Sequence, residues 1–408
     1  MKKHCLPIVL FILVSFMTTL FLPATSAYAF SLQDLVGQAS APTVDKNSSV
    51  NIVDVFVGLL LGKLLGKKLD LPAATSGGSV SLPGGLKSTG NKEVVGFYAE
   101  WYGTDKDSYN DFNRHVDQIQ TIAPFWATLA EDGTVSDRGG DDHQSVVTLA
   151  HQNHRSVYLL VNNATKGNTD VPIDTLLNSP KLRTIAIDNL EATVKKYHLD
   201  GINIDFEMVP AKDRDNLSLF MKELSARLKP QGLIVSMDVF PKENENNDVS
   251  VAYDYASLAN YVDKIMLMTY DNHGTWSEAG PIADIGWDER CVNYALQFIP
   301  KNKLYLGIAG YGYDWSSKGT ESLEYPAIMN LAKQFSKPIE WDEPSKSPHL
   351  SYTGNDGISH QVWFENSQSI GYKVDLMNKY DLGGIALWKL GEEDPAIWSV
   401  IQGKLGNK

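Results

Sequence analysis

Cysteine is almost missing from this chain: its 408 residues hold two, Cys5 and Cys291. Cys5 falls within a stretch that reads as an export signal, so the processed protein keeps one thiol. An internal disulfide is thereby excluded, and the core has to hold together by burial alone. Cys291 sits in a helical pattern beside Tyr294 and Leu296 and is expected to be a packed thiol. Positive charge is also scarce. Lys and Arg number 36 against 49 Asp and Glu, for a formal net charge of −13, and no basic cluster offers the footprint a nucleic acid needs. Nucleic acid is thus excluded as a partner.

Long apolar runs are few. Leu6 to Leu22 is interrupted by Ser15, Thr18 and Thr19, which suits a transient signal better than a permanent membrane span. Lys2 and Lys3 precede it and Ala27-Tyr28-Ala29 follows as an A-x-A cleavage site, so residues 1–29 are expected to be a signal peptide and the protein secreted. Losing Lys2 and Lys3 takes the formal charge from −13 to −15. The second run, Val50 to Leu69, reads as a helix with Gly58, Gly62 and Gly66 on one face and Lys67 and Lys68 at its negative end. It is expected to be a leader helix that gives at most a weak association with a wall or membrane surface through residues 50–69. Pro72, Gly77, Gly78, Pro83, Gly84, Gly85 and several serines then form a linker, so residues 30–91 are leader and linker.

From residue 92 to about 403 the texture changes to short β-rich runs alternating with helical patterns. The expected strands are Val94–Tyr98, Thr121–Thr128, Val157–Asn162, Gly201–Glu207, Leu233–Val239, Lys264–Thr269, Leu304–Ala309 and Gly384–Trp388. Between the fourth and fifth, Leu217, Phe220, Met221, Leu224 and Leu228 recur at helical spacing until Pro230 and Gly232 stop them. Eight such units predict an α/β fold, a (β/α)8 TIM barrel, with an open doubly wound sheet as the structural alternative. The long gap between the seventh and eighth strands is expected to hold a small α+β insertion over about 317–365.

The fourth strand carries the chemistry. In Asp200-Gly201-Ile202-Asn203-Ile204-Asp205-Phe206-Glu207, the apolar Ile202, Ile204 and Phe206 alternate with Asn203, Asp205 and Glu207. A strand sends alternate side chains to opposite faces, so an amide and two carboxyls would point into the barrel at its C-terminal end, where barrel enzymes react. Carboxyls at i and i+2 have α-carbons roughly 6.5–7 Å apart. Partly buried, the two cannot both ionise freely, and one is expected to stay protonated near neutrality. Glu207, the outermost, is the expected general acid, with Asp205 one layer deeper. His143, His151 and His154 have no evident third ligand and are expected at a solvated surface; neither a metal nor a cofactor is expected.

D-G-x-N-x-D-x-E at the end of a fourth barrel strand resembles the signature of glycoside hydrolase family 18, with Asn203 where that family normally has aspartate. The resemblance runs from about Val94 to Val400. Met268-Thr269-Tyr270-Asp271 is similar to the family's M-x-Y-D, Trp388 to its barrel-floor tryptophan, and Gly96-Phe97-Tyr98 to its first-strand aromatic position. Pro124-Phe125-Trp126, the segment Gly310 to Trp315, and Gln361-Val362-Trp363-Phe364 look most like the bacterial cell-wall and spore-cortex lytic branch. The resemblance implies substrate-assisted hydrolysis with retention, in which the sugar's own 2-acetamido oxygen attacks the anomeric carbon. It implies Glu207, Asp205 and Tyr270 as catalytic residues, and Asp271, Trp388, Tyr98, Met268 and Asn203 as substrate contacts. The implied partner is a polysaccharide containing N-acetylglucosamine, peptidoglycan or chitin, and the implied location is extracellular, at the cell wall or spore. Asn203 is expected to donate to Asp205 and favour its ionised form. Trp101, Trp126, Tyr311, Trp315, Trp341 and Trp363 are further candidate sugar platforms, and Asn162, Asn163 and Asp238 candidate rim contacts. The alternative reading is a non-catalytic, lectin-like binder of chitin or peptidoglycan on the same barrel.

Overall fold

The computed structural model describes residues 92–101, 104–138, 142–163, 173–245 and 249–406. The signal peptide, leader helix, linker and Cys5 lie outside the described residues. Strands β1 (Glu93–Tyr98), β2 (Thr121–Leu129), β3 (Val135–Asp137), β4 (Ser156–Asn162), β5 (Gly201–Asp205), β6 (Ile234–Val239), β7 (Lys264–Leu267) and β8 (Leu304–Ala309) alternate with helices α1 (Asp107–His115), α2 (His143–Gln152), α3 (Asp174–Asn178), α4 (Pro180–Lys196), α5 (Arg214–Leu228), α6 (Tyr255–Tyr261) and α7 (Ile285–Ala295). An insertion follows, made of β9 (Tyr311–Ser316), β10 (Gly319–Glu324), α8 (Tyr325–Gln334), β11 (Glu340–Asp342), β12 (Ser347–Thr353) and β13 (Ser359–Phe364). Then come α9 (Ser367–Lys379), β14 (Gly384–Trp388) and α10 (Ile397–Leu405).

Eight strands pair in parallel in the order β1-β14-β8-β7-β6-β5-β4-β2, and β1 pairs with β2 to close the ring. The fold is a (β/α)8 barrel, not an open sheet. β3 is a short antiparallel hairpin arm on β2. The two faces of β5 show why the chain closes this way. Ile202, Ile204 and Phe206 join the shell between strands and helices, where Phe206 meets Phe220 of α5 at 5.5 Å between ring centroids. Val95, Phe97, Phe125, Leu160, Met266, Tyr305 and Ala386 fill the lumen instead. After α5 a short 3-10 turn, Lys229–Gln231, is closed by Gly232, whose φ of +81° is a left-handed conformation that glycine adopts without steric cost.

Below these lumen side chains, at the N-terminal mouth, Lys264 Nζ lies 2.6 Å from Glu93 Oε2. Tyr305 also donates to that oxygen, at 2.6 Å, and Thr121 Oγ1 donates to Glu93 Oε1 at 2.5 Å. This interior ion pair closes the end opposite the chemistry. Cys291 is buried in α7 as expected. His143 is not the solvated residue expected: it is buried, stacked on Trp126 at 3.9 Å, with Nε2 3.0 Å from Asp137.

The insertion is a five-stranded antiparallel sheet, β10-β9-β13-β12-β11, covered by α8. It begins at Tyr311, earlier than the Ser317 start expected, because Tyr311, Tyr313 and Trp315 alternate along β9 as strand residues. Gly312 allows β9 to lie against β13: a Cβ there would come 2.4 Å from that of Phe364.

Candidate active site

β5 ends at Asp205, two residues before the end expected for it, and the backbone turns as it leaves the ladder. Two buried side chains fix that turn. Tyr253 donates its hydroxyl to the Phe206 carbonyl at 2.6 Å. Asn163, just past β4, accepts from the Glu207 N–H at 2.9 Å and donates its amide to the Glu207 carbonyl at 2.8 Å. Met208 follows with φ +53°. Glu207 is thereby held on a loop, its side chain exposed into a cleft of about 650 Å³.

That cleft lies at the C-terminal ends of the strands and brings together most of the expected residues. Asp205, Glu207, Met268, Tyr270, Asp271 and Trp388 all line it. Asp205 is buried, and burial first, then the charges of Glu207 and Asp238, pushes its carboxyl well above the usual carboxylate range. Asp238, at the end of β6, is raised in the same way by burial and by Glu207, against a hydrogen bond from Asn203 that lowers it. The Tyr270 phenol is driven up by burial and then by Asp238, Asp205, Glu207 and Asp271, so it stays a neutral hydrogen-bond donor. Asp271 adopts φ +56° and accepts from Tyr311 at 2.5 Å and Tyr313 at 3.0 Å. Burial raises its carboxyl and these two bonds lower it. Trp388 is half-buried, propped by Phe97 at 5.5 Å, Phe125 at 6.3 Å and Trp101 at 6.5 Å.

Two expected substrate contacts are placed elsewhere. Tyr98 is fully buried on the helix-facing side of β1, its ring edge-on to Trp126 at 6.3 Å and its hydroxyl donated to Glu100 at 3.0 Å. Strand alternation puts Tyr98 on the same side as Gly96, which packs on Leu390, so Phe97 faces the cleft instead. Asn203 lies beneath the cleft, fully buried, and does not line it. Its amide donates to Asp238 Oδ2 at 2.6 Å, not to Asp205, while its oxygen accepts from Ser236 Oγ at 2.7 Å. The register pairs Asn203 with Ser236 on β6, so its amide is taken up by the neighbouring strand and not by Asp205.

Among the aromatic candidates, Tyr311 lines the cleft and Trp101 stands exposed beside Trp388, whereas Trp126 is buried outside the barrel. Trp315 is buried and donates its indole N–H to the carbonyls of Gly274 and Ser277, at 3.1 and 3.2 Å, fixing the loop after β7. Trp341 and Trp363 belong to the insertion, near Tyr372 and His349. Sequence reasoning missed Phe97, Phe240, Val249, Trp276 and Trp287 in the lining. Trp276 could have been found: it is a lone indole in a Gly- and Ser-containing loop, and it is 66% exposed. Among the described residues no group of three or more His, Cys, Asp or Glu is placed to hold a metal.

Comparison with known proteins gives a consistent picture. The pattern of glycosyl hydrolases family 18 matches residues 93–393. The uncharacterized glycosylase YvbX of Bacillus subtilis is 28% identical over 325 residues, 78% of this chain and 94% of that protein. The cortical fragment-lytic enzyme of Bacillus anthracis is 28% identical over 310 residues, 72% of this chain and 70% of that one. Among solved structures, a chitinase from Chromobacterium violaceum superposes with a TM-score of 0.71 at 28% identity, covering 78% of this chain and 100% of that one. The Bacillus cereus spore cortex-lytic enzyme SleL gives 0.71 at 26%, covering 84% and 80%.

Proposed function

This chain belongs to glycosyl hydrolases family 18, and we propose that it is a secreted glycosidase cleaving β-1,4 bonds after N-acetylglucosamine in peptidoglycan or spore cortex, with chitin second. The observation that carries the reading is the shared cleft: Asp205, Glu207, Tyr270 and Asp271 border one cavity together with Trp388. In the proposed reaction the 2-acetamido oxygen attacks C1 as the C1–O bond to the leaving sugar breaks, and the proton of Glu207 passes to the departing oxygen. Asp205 accepts the acetamido N–H and steadies the positive oxazolinium, and Tyr270 donates to the acetamido oxygen. Water then attacks C1, Glu207 takes its proton, and configuration is retained. An apolar sugar face packs on Trp388.

The polymer preference draws on the cortical fragment-lytic relatives, and the choice of N-acetylglucosamine over muramic acid before the cleaved bond draws on the cleft's charge. Four carboxyls line it, and no Lys, Arg or His is among its described lining residues. Such a site disfavours anionic substituents and suits neutral acetamido sugars. Incubating the protein with sacculi, cortex and chitin oligomers and reading the fragments by mass spectrometry is expected to give N-acetylglucosamine at the new reducing ends. Muramic acid at those ends, or equal release by Glu207→Gln, sinks the reading. Association with the wall through residues 50–69 belongs to the same proposal, and sedimentation on wall fragments with and without residues 30–91 tests it.

The amide clamp on Glu207 leads to a further expectation. Asn163→Leu keeps the size of the side chain but removes both bonds to the Glu207 backbone. It is expected to lower kcat by roughly 10- to 100-fold, the scale of misplacing a reacting group by about 1 Å, with KM changed far less. An unchanged kcat would mean that Tyr253 and the flanking strands fix the turn unaided.

A further inference from the structure

Asp238 has no role in the reaction as drawn, yet it sits in the same cleft, buried, on the strand next to Asp205. The parallel register pairs Ile204 with Met237, so the following pair is Asp205 with Asp238, on neighbouring strands about 4.8 Å apart and facing the same way. One oxygen of each carboxyl, Oδ1 in both, is buried without a hydrogen-bond partner. Asp238 Oδ2 is already committed to the Asn203 amide. Two adjacent buried acceptors cost free energy unless a hydrogen lies between them, and a single proton shared by the pair supplies one.

We propose that Asp205 and Asp238 share one proton, and that Asp238 holds it while Asp205, ionised, accepts the substrate's acetamido N–H. This rests on the reading of Asp205 given above. Asp238 is a positioning residue: it touches the reaction through Asp205. The proton balance is simple. In the free protein the proton bridges the two Oδ1 atoms; on substrate binding it stays on Asp238, and the proton given to the leaving sugar comes from Glu207. Asn203 makes the arrangement one-sided, because its N–H occupies Asp238 Oδ2 and leaves Oδ1 as the proton-bearing oxygen. The other titratable groups facing the pair are Glu207 beyond β5, Tyr270 and Asp271 after β7, and Tyr253 ahead of α6. All are acids or phenols, so none of them relieves the pair with a positive charge.

Three variants test this through the pH profile of kcat on a soluble N-acetylglucosamine oligomer. Asp238→Asn imitates the protonated neighbour, a permanent donor to Asp205, and is expected to keep the acid limb within about half a pH unit of wild type. Asp238→Ala removes the donor while Asp205 stays buried, so ionising Asp205 becomes harder. Its acid limb is expected to move up by about one unit, a tenfold loss of rate on the acid side, with KM within about threefold. Asn203→Asp added to Asp238→Ala places a carboxyl where it can reach the same space and is expected to return the limb at least half of the way. Thermal midpoints show that each variant folds. Acid limbs that coincide in wild type, Asn and Ala variants, or Asn and Ala variants displaced together, overturn the proposal. Should the wild type show no Glu207-dependent hydrolysis, the proposed function fails separately. The pair is then judged by carbon-13 titration of the two carboxyls in wild type: two widely split apparent values support sharing, and two ordinary ones overturn it.

Discussion

Glu207→Gln is expected to lower kcat on N-acetylglucosamine oligomers by about 10²- to 10⁴-fold, the usual contribution of a positioned general acid, while KM changes little. Glutamine has nearly the shape of glutamate, and the bonds that fix the backbone at this position come from Asn163 and Tyr253, so the turn survives. What is lost is a transferable proton. The deficit should therefore depend on the leaving group. An aryl glycoside whose phenolate departs without protonation is expected to lose much less in the first step than an oligosaccharide does. Initial rates on both substrates check this. Equal deficits would mean that Glu207 acts through shape or charge and not as an acid.

That prediction was accessible from the sequence because Ile202, Ile204 and Phe206 alternate with Asn203, Asp205 and Glu207, which marks one polar face, although β5 ends at Asp205 and Glu207 stands on the turn that follows. The structure keeps Ile202, Ile204 and Phe206 in the outer shell. All eight barrel strands were legible because short β-rich runs alternate with helical patterns along the chain. Other features depend on neighbours that a single strand does not reveal. Tyr98 was assigned by similarity of a motif, whereas its face is decided by Gly96 packing on Leu390. Asn203 was expected to bond within its own strand, but the barrel places Ser236 and Asp238 beside it, at 2.7 and 2.6 Å. The clamp of Asn163 on Glu207 joins residues far apart in the chain, and no local pattern announces it. β9 was hidden because Gly310 to Trp315 reads equally well as a loop and as a strand until β13 is seen beside it.

The insertion is tied to the barrel by a charge cluster that sequence gave no hint of, and breaking it is expected to have the largest effect on stability. Lys373 of α9 is fully buried; its Nζ lies 3.0 Å from Glu365 Oε2, 3.9 Å from Asp288 Oδ2 of α7, and donates to the Ala283 carbonyl at 3.0 Å. Burial opposes its charge, but Glu365 and Asp288 outweigh burial and hold the ammonium above its ordinary range. Both carboxyls are raised by burial despite the lysine's opposing pull. Lys373→Met leaves two buried acids without a cation and is expected to cost about 3–5 kcal/mol at neutral pH, read by denaturant unfolding. The pH dependence has a definite sign. Without Lys373 both folded-state values climb further above the unfolded ones, so stability is greatest at low pH and is lost as pH rises through the folded-state values. The deficit should shrink on acidification from neutrality towards pH 4. Adding Glu365→Gln and Asp288→Asn should recover much of it, since the uncompensated charges go with the cation. Because β9 of the insertion carries Tyr311 and Tyr313, which hold Asp271, the single variant should also raise KM. A loss below about 1 kcal/mol that does not change with pH would mean that water reaches the cluster and that the apolar contacts of the lobe alone keep it docked.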